Sequence, residues 1–458
     1  MSDRRPSIPA LPVFVAFIVA LMASCSTTED GNGTVEPIAI PAASMSTIVL
    51  AWSETGMHEF SPTFDREVLL PPYSTIRAQV ILRGDPPEIV TTGITLEYSI
   101  VGNTYSYGKS TPPTEEDPLR IYAGFWDNSL DLFGVALAPD TGLNFVDPDV
   151  HNGLSGTMVL RDDHFEAVGV PVVPIDDGGT WEPYQVAEIV VRDSATMAEL
   201  ARTRATVPVS DEISCNKCHG KSVGASAVLS VLEEHDQNSG TSFALDGLPV
   251  LCADCHSSPA LGQTGPGSSG LYLSQVIHGF HSTTSAACYD CHPGAETLGH
   301  RSLAHTGADG ACTDCHGTAA SVASTITNGR VPWVKEPKCA DCHTFVAEVD
   351  TGLTLYRDAA GHGGLSCAAC HGSPHAQVPS REESDHYQFL QYQGKALSLG
   401  SCRVCHPKAR GGGLMGVVEA HGGLGAGSEP TSCTVCHTGP ITTTNPVNFP
   451  HRFQQRNR

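Results

Sequence analysis

From about Ala51 to Pro208 the chain alternates apolar and polar positions with a period of two. Ile76, Ala78, Val80 and Leu82 alternate with Arg77, Gln79 and Ile81. Ile94, Leu96, Tyr98 and Ile100 alternate with Thr95, Glu97 and Ser99, and Ala187, Ile189 and Val191 with Glu188, Val190 and Arg192. Successive side chains of a strand point to opposite faces, so this rhythm predicts strands with one buried face. Asp85-Pro86-Pro87 and Asp177-Gly178-Gly179 punctuate it as turns. Short strands between such turns predict an all-β, sandwich-like domain over residues 51–210, with a small barrel as the other closure. Trp52, Trp126 and Trp181 are expected in its core. His58, His151 and His164 stand isolated, so core or surface roles suit them. Asp162-Asp163 and Asp176-Asp177 lack the regular spacing of a calcium loop and read as solvated turns.

Before this region, Arg4 and Arg5 precede a twelve-residue apolar run from Leu11 to Met22. The run is too short to span a bilayer and reads as a signal peptide over residues 1–25. Ala23 and Ser24 then lead into Cys25. This ending resembles the lipobox of bacterial lipoproteins, which implies an acylated Cys25 at the start of the mature chain. Residues 26–50, rich in Ser, Thr, Gly and acids, read as a flexible tether. The expectation is an exported outer-membrane lipoprotein at the cell surface or the periplasmic face.

After Ser210 the alternation stops and a cysteine motif takes over. Cys-x-x-Cys-His occurs eight times. The cysteine pairs are Cys215 and Cys218, Cys252 and Cys255, Cys288 and Cys291, and Cys312 and Cys315. They continue with Cys339 and Cys342, Cys367 and Cys370, Cys402 and Cys405, and Cys433 and Cys436. The histidines that close them are His219, His256, His292, His316, His343, His371, His406 and His437. This spacing is the attachment signature of c-type haem. Two cysteines three apart can each form a thioether to one porphyrin, and the next residue then places an imidazole beneath the iron. Of 17 cysteines, sixteen lie in these motifs and the other is Cys25. Half a zinc site also reads Cys-x-x-Cys, but zinc does not require histidine at one position eight times over. Thioredoxin-like chemistry expects one such motif in a βαβ setting. The reading is an octahaem cytochrome c domain over residues 211–458, with eight covalently bound haem c.

Motif starts are 37, 36, 24, 27, 28, 35 and 31 residues apart. Spacers so short and so rich in Gly, Ala, Ser and Pro cannot build an ordinary apolar core. The chain is expected to wrap stacked haems, with short helices at or after the motifs, long loops and almost no strand.

Charge refines the picture. The formal net charge is -23. Residues 26–210 hold 27 acids and 9 bases, and residues 211–458 hold 21 and 15. No basic stripe marks either part, which argues against nucleic acid as a partner. An acidic surface favours basic redox proteins or metal cations.

The sixth iron ligand decides what each haem does. Met415 is the sole methionine beyond residue 210, whereas ten histidines there lie outside the motifs. They are His235, His278, His281, His300, His305, His362, His375, His386, His421 and His451. Ten candidates for eight irons imply bis-histidine ligation almost throughout. The stretches Pro249-Val-Leu-Cys-Ala-Asp-Cys-His256, Val276-Ile-His-Gly-Phe-His281 and Gly361-His-Gly-Gly-Leu-Ser-Cys-Ala-Ala-Cys-His-Gly-Ser-Pro-His375 resemble exported multihaem cytochromes c of metal-respiring bacteria. In that family a histidine just before or after a motif commonly ligates a neighbouring iron. The resemblance therefore implies distal roles for His235, His278, His281, His305, His362, His375, His421 and His451, and leaves out His300 and His386. It further implies electron transfer toward extracellular acceptors such as metal oxides, with other multihaem cytochromes or a porin-cytochrome conduit as partners. One β region followed by eight haems departs from the alternating β and haem domains of such proteins. The alternatives are a reductase of nitrogen or sulfur oxyanions with one open haem, and a protomer of a conductive filament.

Overall fold

The computed structural model describes residues 46–84, 86–110, 121–220, 227–294, 296–303, 305, 312–342 and 355–407. The leader with Cys25, the motif from Cys433 to His437, and His343, His421 and His451 lie outside them.

The period-two segments form strands. In chain order they are β1 (Thr47–Ser53), β2 (His58–Glu59), β3 (Glu67–Val68), β4 (Ser74–Leu82), β5 (Glu88–Ile89) and β6 (Ile94–Ile100). Then follow β7 (Ser155–Thr157), β8 (Val159–Arg161), β9 (His164–Val170), β10 (Tyr184–Asp193), β11 (Glu199–Ser210) and β12 (Val250–Leu251). One five-stranded sheet runs β1-β4-β9-β8, with β5 beside β4. A second runs β2-β11-β10-β6-β7. Neighbours are antiparallel except β2 with β11. The two sheets share one apolar core, to which Ile76, Ala78, Val80, Leu96, Tyr98, Ile100, Ala187, Ile189 and Val191 all contribute. Leu82, expected inside, is exposed. Trp126 is in this core, its indole N–H donating to the Thr141 carbonyl at 2.8 Å, and Trp181 packs against it.

Strand β1 breaks the alternation because both of its faces are covered, a setting in which strands read as continuous apolar runs. It begins at Thr47, inside the segment read as a tether. Val49 and Ala51 face the shared core. Ile48, Leu50 and Trp52 join a second cluster with Ala368, Ala369, Tyr392 and Val404 from the cysteine-rich half. Trp52 thus belongs to this second cluster, and its buried indole N–H has no hydrogen-bond partner among the described residues.

The cysteine-rich half is built of short turns and helices: α3 (Ala227–Ser239), α4 (Phe243–Asp246), α5 (Leu273–His281), α6 (Cys312–His316), α7 (Ala319–Thr327), α8 (Cys339–Cys342), α9 (Cys367–His371) and α10 (Tyr387–Gln393). The helices α1 (Gly124–Asp127) and α2 (Ser129–Phe133) belong to the β region.

Side chains from this half cover the outer edge of β1. The Val49 N–H donates to Tyr392 Oη at 3.2 Å, and that hydroxyl donates back to the Val49 carbonyl at 2.9 Å. The Ala51 N–H donates to Gln388 Oε1 at 2.9 Å and the Ser53 N–H to Ser373 Oγ at 3.1 Å. An edge strand must hide its free N–H and C=O groups, and here side chains replace a further strand. Buried Gln79 donates to the Gly364 carbonyl at 3.1 Å and accepts from the Ser366 N–H at 2.9 Å. Strand β12, directly before the second motif, pairs parallel with β3. Arg301 and Asp385 form a buried bidentate pair at 2.7 and 2.9 Å, and Arg301 also donates to the Gly56 carbonyl.

Candidate haem sites

Each of the seven described motifs opens a single helical turn. The His219, His256 and His292 N–H groups donate to the carbonyls of Cys215, Cys252 and Cys288 at 2.8, 3.0 and 2.8 Å. One turn places residues i and i+3 on one face, so both cysteines can reach the same group while histidine stands at the rim.

Burial pushes the Cys215 thiol up to about 12, helped by the Glu67 carboxylate and then by Cys291. Burial likewise pushes Cys370 up to about 12, with Cys405 and Cys367 adding to it, and raises Cys252, again with Glu67 beside it. Thiolate metal centres need the opposite, a lowered thiol. A neutral, apolar thioether suits such seats.

The motifs are neighbours in a definite order. The second and first share Glu67. Lys217 pairs with Asp290 at 2.7 Å, and Cys291 lies near Cys215, which joins the first to the third. Cys288 hydrogen-bonds with Cys312, and Cys342 acts on Cys315, which brings in the fourth and fifth. Half-buried Tyr356 sits near Cys367, Cys339 and Cys370, and Cys405 lies near Cys370, which brings in the sixth and seventh.

The histidines come together in pairs. Ring centres of His219 and His281 are 6.2 Å apart, those of His256 and His235 6.4 Å, and those of His292 and His278 6.0 Å. His316 and His375 are 6.0 Å apart, and His406 and His362 6.2 Å. An imidazole nitrogen binds a transition metal at about 2 Å and lies about 1.1 Å from its ring centre, so two imidazoles on opposite sides of one metal have centres about 6.3 Å apart. Tetrahedral neighbours would be closer, at about 5 Å. Each ring contains its own metal–nitrogen axis and can rotate about it, so interplanar angles from 22° to 82° are all compatible.

The second ring nitrogens fit as well. Nδ1 of His256 contacts Ser269 Oγ at 2.8 Å, that of His235 Thr241 Oγ1 at 2.9 Å, and that of His292 Glu59 Oε2 at 3.2 Å. On α5, Nδ1 of His278 and His281 donates to the Ser274 and Ile277 carbonyls at 2.7 and 2.8 Å. Such bonds fix the tautomer and leave Nε2 for a metal. Five pairs, each one motif histidine and one from outside the motifs, fit axial ligation of haem iron.

Residues 328–407 match the family model described as cytochrome c7 and related cytochrome c. The matched segment is cytochrome c7-like. It spans the fifth, sixth and seventh motifs, supports a multihaem c-type cytochrome and implies covalently attached haem c. No curated protein and no solved structure matches the chain.

Of the expected distal histidines, His235, His278, His281, His362 and His375 each stand across from a motif histidine. His305 is half-buried. His300 also lies 6.0 Å from His375, a juxtaposition that the linear sequence does not announce. Desolvation by the groups packed around His375, followed by the charges of His316 and His300, pulls it down to about 4. His386 Nε2 accepts from the Ser380 N–H at 3.0 Å, a structural bond. Glu59, Glu234 and Glu336 near motif histidines were not anticipated. Glu59 comes from the β region, 233 residues away from His292.

Proposed function

We propose that the chain is an electron-transfer cytochrome carrying eight haem c groups, nearly all of them bis-histidine ligated. The observation that carries this reading is the spacing of the five imidazole pairs, 6.0–6.4 Å. His281, His235, His278, His375 and His362 serve as distal ligands opposite His219, His256, His292, His316 and His406. The three remaining haems would take theirs from His305, His421 and His451, the other candidates that the sequence offers.

When bound, haem c supplies one-electron redox chemistry. The chain's own part would be to offer two imidazoles to each of the five paired sites, which would close those irons to a substrate, and to keep neighbouring attachment sites close together. The cysteine contacts support the order second, first, third, fourth, fifth, sixth, seventh. The acidic β region suits a basic redox partner or metal-bearing acceptor. The leader and Cys25 support export and a lipid anchor at the outer membrane. Among the described residues no helix is long and apolar enough to cross a membrane.

A pyridine-haemochrome assay of protein made in a maturation-competent host should give eight haems per chain, with a low-spin ferric spectrum. Clearly fewer haems would overturn the count, and a high-spin band from the wild type would replace this reading with that of an enzyme holding an open iron. Fractionating the same cells tests the anchor, since unacylated protein would leave the membrane pellet.

A further inference from the structure

The imidazole of His292 has a carboxylate partner. Its Nδ1 lies 3.2 Å from Glu59 Oε2, and the Glu59 side chain is only 15% exposed. Of His219, His256, His292 and His316, His292 alone has a carboxylate within hydrogen-bond distance. His256 meets the Ser269 hydroxyl, whereas Glu234 and Glu336 stand 3.6 and 3.9 Å from His219 and His316. Glu59 is also the better anchored. It ends β2, is paired with Ser210 of β11, and the next N–H, that of Phe60, donates to the Ser210 carbonyl at 3.0 Å. Its charge reaches Cys215 and Cys291, so it sits between the first and third attachment sites.

A carboxylate that accepts from the far nitrogen of a metal-bound imidazole makes that imidazole a stronger donor. It also places a fixed negative charge near the metal in a partly desolvated setting. Both effects favour the higher oxidation state. We propose that Glu59 is a positioning residue that holds the His292 imidazole and gives the third site the lowest potential in its neighbourhood. The β region then tunes the electron path directly. A low point third in the row sets which neighbour is reduced first.

The inference rests on His292 being an iron ligand, and the experiment separates the two claims. Full-length holoprotein is compared with its Glu59→Gln, Glu59→Asp and Glu234→Gln variants by haem count and by redox titration followed by electron paramagnetic resonance. Glu59→Gln should shift the oxidised-to-reduced ratio of one haem per chain about tenfold toward reduction, about 59 mV for a one-electron couple. The haem count and low-spin signals should hold, with Glu59→Asp and Glu234→Gln moving that haem less. With eight low-spin haems present, no shift in Glu59→Gln, or an equal shift in all, overturns the role of Glu59 alone. If Glu59→Gln fails to mature, Glu59→Asp decides: a change confined to the lowest-potential haem supports the role, and none overturns it. Wild-type protein without low-spin haem overturns the ligand reading itself.

Discussion

His375 shows how much one side chain is asked to do. It adopts a φ of +59°, its carbonyl accepts from the Arg301 and Ser302 N–H groups at 2.9 and 3.1 Å, and its ring faces His316. A non-glycine residue there is uncommon, and asparagine tolerates that region better than most. His375→Asn therefore removes the imidazole with little backbone cost. A high-spin signal from about one iron in eight is expected, since loss of an axial ligand leaves the thioethers in place. His386→Ala should stay fully low-spin. The reverse result in ferric spectra would exchange the two assignments. The motifs were legible because covalent attachment demands fixed residue types at short spacing, and the five histidines that stand across from motif histidines were singled out through the resemblance. Glu59 and the His300–His375 approach were not legible, because tertiary folding alone sets distances between residues so far apart in sequence.

At the scale of elements, β4, β6 and β10 announced themselves because one face of each meets the core and the other is more polar. Strand β1 did not, because Ile48, Leu50 and Trp52 on one side and Val49 and Ala51 on the other are all buried. Alternation is a signature of one-sided burial, and two-sided burial erases it. Its edge is held by Tyr392, Gln388 and Ser373. Tyr392→Phe should leave the buried Val49 N–H and carbonyl without that hydroxyl and cost about 1–3 kcal/mol. Chemical denaturation should show a lower midpoint with an unchanged slope. A midpoint equal to wild type would mean that the edge finds another partner.

On the whole-molecule scale, many bonds cross the boundary at residue 210 where alternation yields to cysteine motifs. The described residues lie in one compact unit, and β1, β3, Gln79 and Gly56 all bond to the cysteine-rich half. A chain that keeps the leader and residues 211–458 but lacks the β region should retain its haem count, because attachment needs only the cysteines. It should lose the apolar face against which Ala368, Ala369 and Tyr392 pack, and with it protease resistance and uniform low-spin spectra. Wild-type protease resistance in the shortened chain would restore the two-body view. The bond between Val49 and Tyr392 closes over 343 residues. At a synthesis rate of about 5–20 residues per second, roughly 20–70 s separate the emergence of the strand from that of its cover. Throughout that interval a flat apolar edge is open to pairing with other chains. Supplying a holding chaperone during overproduction should therefore raise the yield of unaggregated protein, and an unchanged yield would mean that the edge is covered sooner.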